Sequence, residues 1–253
     1  MGFFKMLFGE KPAQGPTATT AAEPKSVAQP KSQYSDEELL KLIEKREQTV
    51  KPFSILGRYY TLDKLKRIPL GSDFYAVPYD IASLAEGTDD LMLSLMGTTD
   101  RIRTFLPDLD FSSKESANKH LLNIIQRTEL GYQFAYAIRM NSGFCGLITV
   151  NTPELNSKQI NFPHWTVEFF ILEMFEGQGI MLAALSQMVI FLKKELGVDE
   201  FYCITSSENG RCLNLLRYLP LQEIPNTGFQ ATSVATGSPK VFRCDLKNLV
   251  LAE

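Results

Sequence analysis

The stretch from Trp165 to Leu196 constrains this chain most. Trp165 to Leu172 reads as a strand, with Glu168 the only ionisable residue inside its run of Val, Phe, Phe and Ile. It leads into Glu176-Gly177-Gln178-Gly179, and from Gly179 the pattern becomes helical. Met181, Leu182, Ala184, Leu185, Met188, Val189, Ile190 and Leu192 leave little polar face before Lys193, Lys194 and Glu195. A helix that is apolar almost all round is buried. Strand, glycine turn and buried helix in immediate succession imply a mixed α/β architecture.

The surrounding chain extends that pattern. Asp73 to Val77 reads as a strand, Ile81 to Met96 as helical pieces broken around Gly87, and Ser113 to Thr128 as a helix. Ser113 is the N-cap of that helix, and Ala117, Leu121, Ile124 and Ile125 form its apolar face. Gln133 to Ile138 and Phe144 to Val150 flank a short turn and read as a hairpin. Asn151 to Phe162 reads as a polar connection. Phe201 to Thr205 is a further strand, Asn209 to Leu219 a helix, and Lys240 to Leu246 a last strand. The chain divides into an apolar segment 1–10, a Pro-rich disordered linker 11–33, a helical extension 34–66 and a main domain 67–253. The linker is too poor in apolar residues to offset its ordering entropy. In the extension, Ser35 and Glu38 form a capping box ahead of Leu39, Leu40, Leu42 and Ile43.

Composition narrows the function classes. A net charge of -3 gives no electrostatic reason to expect nucleic acid. Cys145, Cys203, Cys212 and Cys244 form no CxxC pair, and His120 and His164 stand far apart, so neither a zinc site nor a disulfide framework is expected. A reducing, cytoplasmic setting follows from that cysteine usage. No apolar run approaches the ~18 residues that span a bilayer. Residues 1–10 fit a frayed tail or a docking element for a partner or membrane surface.

The glycine turn is where chemistry is expected. Glycines at Gly177 and Gly179 let a ligand approach the backbone closely. Free amides and the positive dipole end at the following helix suit a phosphate or pyrophosphate. Most such turns are only turns, so the reading depends on its neighbours.

Those neighbours resemble the GNAT acetyltransferase family, nearest the branch that acetylates the N-terminal alanine or serine of ribosomal proteins. Glu176-Gly177-Gln178-Gly179-Ile180-Met181 aligns with that family's coenzyme A pyrophosphate loop, Gln/Arg-x-x-Gly-x-Gly/Ala, which in this branch typically ends Gly-Ile-Met. Ala183-Ala184-Leu185 continues the branch pattern, Leu196-Gly197-Val198 matches the helix end, and Asn209 matches the Asn that opens the next helix. The resemblance is clear over about 133–221 and blurred over about 70–132. It implies a central, mostly antiparallel sheet with a V-shaped split between the strands ending near Leu172 and beginning near Phe201, flanked by helices.

It also implies acetyl-CoA as co-substrate, no metal, and direct attack of a primary amine on the thioester. The implied cofactor residues are Phe170, Leu172, Glu176, Gly177, Gln178, Gly179, Ile180, Met181 and Asn209. Glu168 aligns with the branch's acidic residue, and burial would tune it as a base; a solvent-facing strand residue is the alternative. Cys212 is the other catalytic candidate, or an inert buried thiol. Asn209 either holds the pantetheine arm or only caps its helix. Three departures stand out: Glu176 for Gln or Arg, Cys212 for Ser, and Leu216 where many members place a Tyr. The expected acceptor is a protein N-terminus or small-molecule amine, with no nucleic acid partner and a monomer or homodimer. A GNAT fold that only binds acyl-CoA or a partner is the alternative.

Overall fold

In the computed structural model the residues described are 53–55, 58–60, 67–71, 73–79, 89–97, 104–105, 111–140, 143–226 and 236–251. Two chain-adjacent strands form the centre. β5 (Gln133–Met140) and β6 (Gly143–Asn151) are buried along almost their whole length, because both of their faces are apolar and both are covered. Around them β3 (Ile68–Gly71), β4 (Phe74–Pro78), β7 (Thr166–Ile171), β8 (Glu200–Ser206), β9 (Gln222–Ile224) and β10 (Pro239–Asp245) complete an eight-stranded sheet in the order β3-β4-β5-β6-β7-β8-β10-β9. Neighbours run antiparallel except β7 and β8, which are parallel. β1 (Phe53–Ile55) and β2 (Arg58–Tyr60) form a separate antiparallel pair inside the segment read as a helical extension. Their Phe, Ile and Tyr residues suit strands. The helix expected from Ser35, the linker and residues 1–10 lie outside the described residues.

Helices cover the sheet on both faces. On one face lies α4 (Ile180–Lys194), whose buried Met181, Leu185, Met188 and Leu192 share a core with Phe134, Tyr136, Ile148 and Val167. On the other face lie α1 (Asp89–Gly97) and α2 (Lys114–Glu129). Here Ala117, Leu121, Ile124 and Ile125 of α2 and Leu93 of α1 pack on Ala135, Ala137 and Leu147. Fully burying a Leu such as Leu121 or Leu192 stabilises the fold by about 1.5–3 kcal/mol. Ser113 caps α2 as expected: its Oγ accepts from Ser116 N at 3.1 Å, and Ser116 Oγ accepts from Ser113 N at 3.0 Å. The first residue of α1, Asp89, is tied to β5 by an ion pair with Arg139 at 2.9 Å, both side chains almost wholly buried. Burial raises the Asp89 carboxyl even against the pull of Arg139.

Several elements depart from the expected outline. Residues 153–160, read within a polar connection, are helix α3 (Pro153–Ile160). Thr152 Oγ1 accepts from Leu155 N, Pro153 occupies the first turn, and Asn161 closes the helix in the left-handed region. Its apolar contribution is small, which hides it from a periodicity reading. β3 and the three-residue edge strand β9 were not expected as separate strands. Of the stretch 81–96, helix is described only from Asp89. The helix after Asn209 is α5 (Gly210–Leu216), shorter than expected.

Candidate functional site at the split between β7 and β8

β7 pairs with β6 along its full length, from Thr166 opposite Asn151 to Ile171 opposite Gly146. Beside β8 it has a single register pair, Thr166 with Tyr202, where Tyr202 N donates to Trp165 O at 2.9 Å. Beyond that point the two parallel strands part, which forms the V-shaped opening. The register decides which backbone groups face it. Leu172 N donates to Cys145 O at 2.8 Å, so the alternate residues Phe170 and Glu168 also turn their amides to β6. The backbone groups of Val167, Phe169 and Ile171 therefore turn toward the opening.

Gly146 explains why β7 leans to β6. The β5–β6 register shifts at Ile138/Arg139, where Cys145 is the extra residue. Next to it, a Cβ on Gly146 would sit 2.4 Å from Phe170 O and 3.0 Å from Ile171 Cα. Only glycine permits so close an approach to the end of β7.

After β7 the chain makes a 3-10 turn (Glu173–Phe175) and then the glycine turn. Gly177 and Gly179 have φ of 73° and 76°, and a Cβ at either would meet nothing within 4 Å. The turn is thus left-handed and open on its outer side. Gly179 caps α4, and the first intrahelical bond runs from Ala183 N to Gly179 O at 3.0 Å. The amides of Ile180, Met181 and Leu182 have no acceptor within the helix. Ile180 and Met181 bury their side chains in the core, which fixes the turn while its backbone stays available. Gln178 is exposed, and its Nε2 donates to Met174 O at 3.2 Å. Glu176 turns its carboxylate to Arg211 of α5 in an ion pair. An acyl-CoA pyrophosphate fits this arrangement, because both glycines leave room on the side where a Cβ would point and the first turn of α4 offers unengaged amides.

Across the opening, Asn209 Oδ1 accepts from Cys212 N at 3.2 Å and so caps α5. Cys212 is partly buried. Burial pushes its thiol up, opposed by a hydrogen bond with Thr205, so the group stays protonated. Leu216 is fully buried in the core shared with α4, so no hydroxyl occupies that place.

The structure separates the expected residues into two groups. Glu176, Gly177, Gln178, Gly179, Ile180 and Met181 form the turn at the mouth, with Asn209 capping α5 and Cys212 in its first turn. Phe170 and Leu172 instead face the second core. The Phe170 ring packs 6.1 Å from Phe111 and 6.3 Å from Phe144, and Leu172 is buried.

Glu168 shares the Phe170 side of β7, opposite Val167 and Phe169. Of its two readings the structure gives the solvent-facing one, since the residue is exposed. It is held by Asn151 Nδ2, which donates to its Oε1 at 3.0 Å. Asn151 also lies 3.4 Å from Thr166 Oγ1, and Asn156 Nδ2 donates to Thr166 Oγ1 at 3.0 Å and to His164 O at 2.7 Å. Asn151, Asn156 and Thr166 are all buried. Sequence reasoning missed this network and Arg211. The one available signal was Asn151 at the end of an otherwise apolar strand. Among the described residues, no group of three His, Cys, Asp or Glu could hold a metal ion, and no helix is long and apolar enough to cross a membrane.

A parted pair of parallel strands with a glycine turn and buried helix at its mouth is the arrangement of an acyl-CoA-dependent acyltransferase. Residues 84–219, more than half of the chain, match the acetyltransferase (GNAT) domain model, and the chain belongs to the GNAT acetyltransferase family. Solved structures share the fold. An acetyltransferase of Salmonella typhimurium that modifies the N-terminal serine of ribosomal protein L7/L12 superposes with a TM-score of 0.55 at 15% identity, over 70% of this chain and 98% of that one. The ribosomal-protein-S5-alanine acetyltransferase of Vibrio fischeri gives 0.56 at 12% identity, over 72% and 98%. The microcin C7 self-immunity acetyltransferase MccE, in complex with acetyl-CoA and AMP, gives 0.56 at 9% identity, over 69% and 93%. At these identities the likeness concerns the fold alone. No curated protein matches the chain in sequence.

Proposed function

We propose that the chain is an acetyl-CoA-dependent N-acetyltransferase whose acceptor is a primary amine, on a protein N-terminus or a small molecule. The observation that carries this reading is the opening between β7 and β8, with the left-handed Gly177–Gly179 turn at its mouth. Bound acetyl-CoA would supply the thioester that the amine attacks. The turn and the first amides of α4 would hold its pyrophosphate. The backbone amides of Val167, Phe169 and Ile171 face the opening, where an amide donor can stabilise the oxyanion. Glu168, held by Asn151 and open to solvent, accepts the amine proton directly or through water. Cys212, a protonated thiol at the start of α5, is the proton donor available to the departing sulfur.

Binding of acetyl-CoA by calorimetry, followed by thiol release over a panel of amines and peptides, tests the proposal. Glu168→Gln should lower turnover by about 10²- to 10⁴-fold and leave acetyl-CoA affinity unchanged. Unchanged turnover removes Glu168 from the mechanism. A second reading is a GNAT fold that binds acyl-CoA without turning it over. It draws support from Leu216, which is fully buried where many members of the family place a tyrosine. Binding with no thiol release on any acceptor would favour it.

A further inference from the structure

Glu176 occupies the place where the resembled loop has Gln or Arg, so the turn carries a carboxylate at the edge of the expected pyrophosphate site. The structure compensates from outside the turn. β7 ends at Ile171 and β8 at Ser206, and the two strands are parallel, so their following segments flank the same mouth. Glu176 lies just past the first strand and Arg211 just past the second. Their ion pair crosses the mouth. Its two members differ in exposure: the Glu176 side chain is 17% exposed and the Arg211 side chain 65%. Glu176 is therefore the fixed member and Arg211 the accessible one.

We propose that Arg211 is a phosphate-binding residue of the acyl-CoA site, aimed at the glycine turn by Glu176. The inference rests on the reading of that turn given above. A guanidinium has five N–H donors in a planar fork, and the contact with Glu176 engages Nη1. Donors remain for a phosphate oxygen, and Arg matches phosphate geometry well. In this chain the positive charge beside the turn is carried by Arg211 of α5, with Glu176 as its anchor.

The test is calorimetric titration of the full-length protein with coenzyme A, which needs no turnover. Wild type should bind. Arg211→Ala should weaken binding by about 10- to 100-fold, as expected for loss of a charge-assisted hydrogen bond to phosphate. Glu176→Gln should weaken binding by no more than about 3-fold, because the guanidinium loses its anchor while the turn also loses a carboxylate near the phosphates. Arg211→Ala combined with Glu176→Arg should restore binding, by returning the charge to the turn. Thermal melts report whether each variant folds. If wild type does not bind coenzyme A, the reading of the glycine turn falls. If wild type binds and Arg211→Ala binds equally well, the role of Arg211 falls. It falls too if Glu176→Gln weakens binding as much as Arg211→Ala does, since the pair would then be only a clasp between the turn and α5.

Discussion

Gly146 shows how one residue shapes the site from a distance. It lies on β6, outside the opening, yet its missing side chain lets β6 draw in the end of β7. Gly146→Ala would drive a methyl against backbone atoms of Phe170 and Ile171, which cannot rotate away. The expected outcome is a loss of about 1–3 kcal/mol, read by urea denaturation, with a weaker grip on acetyl-CoA as β7 shifts. Unchanged stability would show that the strands already have slack there. In the sequence, Gly146 is one small residue inside a strand, and nothing local distinguishes it. Gly177 and Gly179 were legible because a strand precedes them and a buried helix follows them in the chain. The partners of Gly146 are contributed by a strand across the sheet.

At the scale of elements, caps set the helix starts that flank the opening. α5 has seven residues, too few to hold on propensity alone. Asn209 supplies an acceptor to Cys212 N at its start. Asn209→Ala should cost about 1 kcal/mol in a chemical melt, and Asn209→Asp, which keeps the acceptor, should recover most of it. Equal losses in both variants would show that the cap is not what Asn209 contributes. Ser113 and Asn209 were both readable as caps, because a cap is a local device set by a few consecutive residues. α3 was missed although Thr152 and Pro153 announce it. Its few buried residues, Leu155 and Asn156, gave no apolar stripe. The helix instead carries Asn156 to the network behind Glu168.

At the scale of the whole molecule, two cores on opposite faces of one sheet hold the site, and one of them carries a pH dependence. His120 on α2 packs its ring 5.2 Å from that of Phe111. Burial and the nearby Arg127 lower its imidazolium to about 4, below the ordinary value of 6.5. The folded state thus favours the neutral ring. This contribution is fully present above about pH 6.5 and is lost as pH falls toward 4. Near pH 5 it should amount to a loss of about 2 kcal/mol relative to pH 7.5. Denaturation at both values checks it: His120→Gln should show a smaller drop on acidification than wild type, and an equal drop would assign the dependence elsewhere. The sequence by itself determined the mixed α/β class, the glycine turn, the buried helix α4 and the caps of α2 and α5. Each of these is written in consecutive residues or in a short period. Only the tertiary structure decided how far β7 parts from β8, that Glu176 meets Arg211, and that Asn151 holds Glu168. The last two join residues 35 and 17 positions apart, and only the packing of strands and helices brings such residues within bonding distance.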